Sequence, residues 1–270
     1  MRRMSLRLAR RFGLREGSNT VNDLSYASLC DDYGTTMYLS SKVELPTNRE
    51  TVLHFFDSVR RLYPKMSDFE KRDGNEFNLE EERDSGSYRF VNIDGRRLTS
   101  GFVNPPTVGE ADEQNLKLLD MAPFHLGIHP LDTDSLDVTY YFDLDFQGNH
   151  DEVVIEALAG GGPFEQFAKI DAARVLNYQP NVMLALDDSC QLQARMSVET
   201  RTNAYQVRSG NYPDSPITVY FTVRQFWGRQ PFKTYADSYA NQRRLIDELA
   251  ADFLIPNVIT PLRQAIGAKS

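Results

Sequence analysis

Apolar and polar residues alternate along two stretches of the chain that lie 101 positions apart. The first is Met37-Tyr-Leu-Ser-Ser-Lys-Val-Glu-Leu45 and the second is Val138-Thr-Tyr-Tyr-Phe-Asp-Leu-Asp-Phe146. A period of two puts alternate side chains on opposite faces, the pattern of a half-buried β-strand. A two-residue turn follows each stretch (Pro46-Thr47 and Gln147-Gly148), and then an asparagine. Asn48 and Asn149 suit helix N-caps, because an asparagine oxygen accepts from the first free amides. Glu50 and Asp151 bring a carboxylate to the first turn, where the helix dipole favours it. Val52 and Val153 then begin an apolar stripe.

The first helix continues through Phe55, Phe56, Val59 and Leu62 and stops before Pro64. The second runs through Val154, Ile155 and Leu158, breaks at Gly160-Gly161-Gly162-Pro163, and restarts from Phe164 to Ile170. Extended segments are expected at 67–82 and 87–104 in the first half. In the second half they are expected at 181–187, 190–201, 203–209 and 216–227, with turns at Asp187-Asp188 and Gly210-Asn211. Helices close the halves at 110–121 and 233–254. The last is interrupted by Pro256 and buries Tyr235, Tyr239, Ile246, Leu249 and Phe253.

The expected fold is therefore α+β. Two tandem β-α-β(3–4)-α units share one long antiparallel sheet, with helices packed on one face. The first unit occupies 35–121, a connector 122–136 and the second unit 137–270, both in one structural domain. Residues 1–34 read as a basic arm and a polar linker without fixed structure. In element order the chain resembles the helix-grip arrangement of the duplicated TATA-binding protein fold and of single Bet v 1-like domains. The resemblance is one of order alone and implies no activity.

Charge alters this picture at one end. Arg2, Arg3, Arg7, Arg10, Arg11 and Arg15 fall in the first fifteen residues, which contain no acid. Without those six, 24 basic residues face 38 acidic ones, so a net charge of −8 conceals a body of −14. Such a body argues against general nucleic-acid binding, which needs clustered cations. Only the Arg-rich segment is suited to weak contact with anionic surfaces. No apolar run reaches 18 residues, so no spanning helix is expected. Cys30 and Cys190 form no paired motif, and a reducing, cytoplasmic setting is expected.

Alternation also sorts the candidate chemistry. Met37, Leu39, Val43 and Leu45 share a face with Val138, Tyr140, Phe142, Leu144 and Phe146, and with Ile217, Val219, Phe221 and Val223. The opposite face carries Tyr141, Asp143 and Asp145, then Arg195, Glu199 and Arg201, then Tyr220, Thr222 and Arg224. Arg195, Arg201 and Arg224 can fork to a carboxylate or phosphate framed by Tyr141 and Tyr220. Trp227 either closes the core or marks a contact surface.

Asp143 and Asp145, roughly 6–7 Å apart along a strand, fit a weak acid/base pair. His125 and His129 have the i,i+4 spacing of a metal pair, with Asp132, Asp134 and Asp137 nearby. Yet Pro123, Gly127 and Pro130 oppose a regular helix there. His54 is expected on the buried side of its helix and His150 in solvent. Gly160-Gly161-Gly162 lacks the companions of a phosphate loop. The expectation is a non-enzymatic module that binds a protein or small ligand on the free sheet face or in the groove between repeats, without a cofactor. The alternative is a metal-dependent or acid/base enzyme using Asp143 and Asp145 with His125 and His129.

Overall fold

The computed structural model describes residues 25–72, 74–228 and 233–269. The Arg-rich arm expected over 1–15 lies outside the described residues, as do residues 16–24 of the polar linker. The end of that linker is not loose. Tyr26 is buried, with its ring 5.6 Å from that of Tyr140 and 5.5 Å from that of Phe142.

The first strand, β1 (Asp32–Ser41), holds only the first part of the alternating stretch, Met37 to Ser41, starting earlier and ending sooner than the pattern implied. Val43 therefore falls beyond it and is exposed. Helix α1 (Arg49–Leu62) begins where Asn48 accepts from the Thr51 amide, and it buries Val52, Phe55, Phe56 and Val59. Strands β2 (Asp68–Arg72), β3 (Glu76–Glu80), β4 (Tyr88–Asp94) and β5 (Arg97–Val103) follow, then helix α2 (Val108–His125). That helix outruns the expected end at 121. Pro123 sits in its last turn, and the chain leaves through Gly127 at φ 66°, with the Ile128 amide donating back to the Ala122 carbonyl. A left-handed residue there closes off otherwise unpaired carbonyls, and glycine adopts it without strain.

Strand β6 (Thr133–Phe146) is followed by α3 (His150–Leu158), α4 (Pro163–Ala168), β7 (Asn181–Ala185) and β8 (Leu192–Glu199). Asn149 caps α3 by accepting from the Glu152 amide. The segment expected to be extended at 203–209 is instead helix α5 (Ala204–Ser209). Asn203 and Gln206 form a reciprocal capping box there, a local signal stronger than the weak alternation. Strand β9 (Ser215–Phe226) leads to α6 (Tyr235–Leu249).

Pro256 does not stop the last helix. The backbone widens into a π-helix over Ala250–Ile259 and continues as α7 (Thr260–Gly267). Proline clashes with the carbonyl four residues back in an α-helix, and the wider turn moves that carbonyl aside. Phe253, expected in the core, points outward as a result of this change in register.

The nine strands among the described residues join one antiparallel sheet in the order β2-β3-β4-β5-β1-β6-β9-β8-β7. Met37, Leu39, Val138, Tyr140, Phe142, Ile217, Val219 and Val223 line one face and are buried. Helix α2 packs against β1 and β5, while α6 packs against β6 and β9. Hydrophobic burial is the main term favouring this layering, at about 25 cal/mol per Å² of apolar surface.

A polar network crosses this interior. Arg243 on α6 donates through Nε to both oxygens of Asp112 on α2, at 2.9 and 2.8 Å. Its Nη1 pairs with Asp247, which accepts from the Tyr140 hydroxyl at 2.9 Å. Burial pushes the Asp112 carboxyl above its usual range, with Arg243 opposing the shift.

Candidate functional site

The other face of the sheet holds the candidate site, and strand register arranges it in rungs. One rung runs Tyr38, Asp137, Arg224, Gln193 across β1, β6, β9 and β8. The next runs Thr36, Thr139, Thr222, Arg195, and the third runs Gly34, Tyr141, Tyr220, Ser197. A row of small threonines thus lies between two rows of larger side chains. The result is a groove of about 230 Å³ floored by Thr139 and Thr222. Tyr38, Asp137 and Arg224 form one wall, Tyr220, Ser197 and Glu199 the other, with Arg195 and Met183 at one end.

The walls are held by specific contacts. Arg224 forks onto Asp137, and this hydrogen bonding raises the guanidinium pKa. Arg97 pairs with Asp94 at 3.0 Å and lies 5.4 Å from the centre of the Tyr38 ring. The Thr139 and Thr222 hydroxyls are hydrogen-bonded at 2.8 Å. Tyr141 and Tyr220 lie with ring centroids 6.3 Å apart. The Tyr141 ring lies over Gly34, where an added Cβ would come within 2.4 Å of it. Burial raises the pKa of Tyr38, Tyr141 and Tyr220, which keeps their hydroxyls protonated at neutral pH.

Arg195 differs from its neighbours. It is exposed, its Nε donates to Asn181 at 3.2 Å, and no carboxylate pairs with it among the described residues. Arg201 sits beyond the end of β8, where its Nη1 donates to the Thr218 hydroxyl at 2.8 Å and to the Pro216 carbonyl. Thr218 in turn donates to Asp143 at 2.5 Å. Burial raises the pKa of Asp143, against the lowering effect of Thr218 and Arg201. Asp145 is raised too, first by burial and then by Asp31 and Asp214.

Of the residues singled out from sequence, Arg195, Tyr220 and Arg224 line the groove, with Tyr141 beside it. Arg201, Asp143 and Asp145 extend the same face toward one end of the strands. Trp227 leaves this group: it is buried, with its ring 5.0 Å from that of Tyr235. Trp227 continues the series Ile217, Val219, Phe221, Val223 at intervals of two, so the alternation of β9 already directs it to the helix-covered side.

His125 ends α2 on the helix side, whereas Asp143 points from the opposite face. The two aspartates and the two histidines are therefore not assembled into one site. Among the described residues, no three His, Cys, Asp or Glu side chains gather as a metal centre. His54 is exposed and not buried, because it lies off the Val52-Phe55-Phe56-Val59 stripe. His150 is wholly buried and not in solvent. Its Nε2 donates to the Phe146 carbonyl at 3.0 Å, and its Nδ1 accepts from the Arg201 amide at 3.2 Å. Burial lowers its pKa.

Tyr38, Arg97 and Asp137 were not singled out as groove residues. Tyr38 occupies a polar-side position between Met37 and Leu39, so the strand period was sufficient to place it. Asp137 stands at the expected start of the second unit, but the strand begins at Thr133, which places Asp137 inside β6 on the open face. No family model, curated protein or solved structure matches the chain.

Proposed function

We propose that this chain is a non-enzymatic binding module whose groove on the free sheet face receives a carboxylate or phosphate group of its ligand. The observation that carries this reading is Arg195, an exposed guanidinium with no ion-pair partner among the described residues, at the end of a threonine-floored groove. A guanidinium presents a planar fork that matches carboxylate and phosphate oxygens, and flanking hydroxyls supply further donors. Tyr141 and Tyr220 frame the ligand beside it. Asp137 neutralises Arg224, which leaves Arg195 as the principal anion-binding group of the groove.

We further infer that the groove lies within a duplicated, helix-grip-like arrangement of two β-α-β(3–4)-α units, about 35–121 and 137–270, joined through 122–136. Three features support this. β1 and β6 pair antiparallel at the middle of the sheet. Each is flanked by the last strand of its own half, β5 or β9. Asn48 and Asn149 cap the following helices in the same way.

The test is a thermal-shift titration of the full-length protein with sodium phosphate, citrate and adenosine monophosphate at constant ionic strength. A ligand that binds only the folded state raises Tm with its concentration. The reading expects a saturable rise for at least one probe, abolished by Arg195→Ala. No rise, or an equal rise in that variant, would refute it.

A further inference from the structure

A different chemistry lies on the helix side. His54, exposed in the middle of α1, and His125, the last residue of α2, have ring centroids 5.2 Å apart with planes tilted by 32°. They come from two helices that pack on each other, so their separation is set by the fold and not by one flexible segment. The Phe55 ring lies 6.0 Å from His125 and restricts it further. Sequence spacing had coupled His125 to His129, but the helix ends at His125 and Gly127 turns the chain away.

Zinc–imidazole nitrogen distances are about 2.0–2.1 Å, so two imidazoles sharing one tetrahedral zinc hold their ring centroids roughly 5 Å apart. The observed separation is of that size. We propose that His54 and His125 form a two-imidazole site for a divalent transition cation of the zinc, nickel and copper class, with solvent completing the coordination sphere. Imidazole is the donor these ions share a preference for. Burial, and secondarily His54, hold the His125 pKa below its ordinary value, which keeps the ring neutral and able to ligate at pH 7. With two protein donors the site is exchangeable and not a folding centre. Occupancy links α1 to α2 and so stabilises their contact.

The experiment is calorimetric titration of untagged, full-length protein with NiCl₂ and, separately, ZnCl₂ at pH 7.5. The variants are His54→Ala, His125→Gln, His129→Ala and Cys190→Ser, each checked for an unchanged circular dichroism spectrum. His54 is exposed and His125→Gln keeps a polar side chain of similar reach, so neither removes core packing. The site predicts one ion bound per chain, with affinity at least tenfold weaker in His54→Ala and His125→Gln. Binding by His129→Ala and Cys190→Ser should match the parent, and lowering the pH to 5.5 should weaken it through proton competition. No saturable binding up to about 1 mM metal, an affinity worth only about 4 kcal/mol, would overturn the proposal. So would binding that survives loss of His54 and His125, or that disappears with His129 or Cys190.

Discussion

Arg224 holds both carboxylate oxygens of Asp137 across the β6–β9 pair, with its Nε 2.9 Å from each. The two ends of this contact differ in their surroundings. The Asp137 side chain is 5% exposed and that of Arg224 is 43% exposed. The carboxylate is therefore a fixed anchor, and the guanidinium is a groove wall whose outer edge meets solvent.

Replacing Asp137 with Asn removes the charge from the anchor and keeps its shape. Hydrogen bonds to charged groups contribute about 1.5–3 kcal/mol, and solvent screening of the exposed guanidinium reduces this to about 1 kcal/mol. Urea denaturation of Asp137→Asn should show that loss. The variant should also bind phosphate more tightly than the parent, because Arg224 is freed. Weaker binding with unchanged stability would mean that Asp137 itself serves the ligand.

The buried Asp112–Arg243 contact should behave differently from surface pairs. Removing one partner of a buried ion pair leaves an uncompensated charge and costs about 3–5 kcal/mol, against about 0–1 kcal/mol for an exposed pair. Asp112→Asn leaves Arg243 with Asp247 as its remaining carboxylate, so it should lower stability by about 2 kcal/mol, the loss of charged hydrogen bonds without a fully unpaired charge. Asp94→Asn, which breaks the exposed contact to Arg97, should cost less than about 1 kcal/mol. Comparable losses in the two variants would contradict this assignment of the network.

His150 gives an acid-sensitive contribution of defined sign. Protonation would place a second N–H against the Arg201 amide, and burial already lowers the folded-state pKa below the ordinary 6.5. Arg201 adds to the lowering, while Asp151 and the Phe146 carbonyl oppose it. On acidification the unfolded chain takes up this proton first. The stability linked to His150 is thus complete above about pH 6.5 and lost as the pH falls toward the folded-state value. Urea midpoints measured from pH 8 to pH 5 should fall more steeply for the parent than for His150→Asn. Parallel curves would show that this imidazole does not titrate against folding.

Much of the sheet was legible because alternation is a strong signal over long strands. Tyr140, Phe142, Val219 and Val223 sorted to the core, and Arg195, Tyr220 and Arg224 to the open face. The pairing of β9 between β6 and β8 then assembled the groove. Elements set by local chemistry or by distant packing were harder to read. Asn203 and Gln206 turned an expected strand into α5, and the π-turn at Pro256 rotated Phe253 into solvent. His150 and His54 exchanged their expected environments because burial there depends on which helix face meets its neighbour. The His54–His125 approach has no one-dimensional signature, since it joins two helices 71 positions apart in the chain.

The claim that the open sheet face is the binding surface is tested most directly by mapping where an anion acts. Full-length, ¹⁵N-labelled protein is titrated with inorganic phosphate and, separately, with citrate, and backbone amide shifts are followed. The groove reading predicts saturable shifts concentrated on Thr139, Arg195, Ser197, Tyr220 and Thr222, and their loss in Arg195→Ala. Saturable shifts confined to the helix side, or none with either anion, would contradict it.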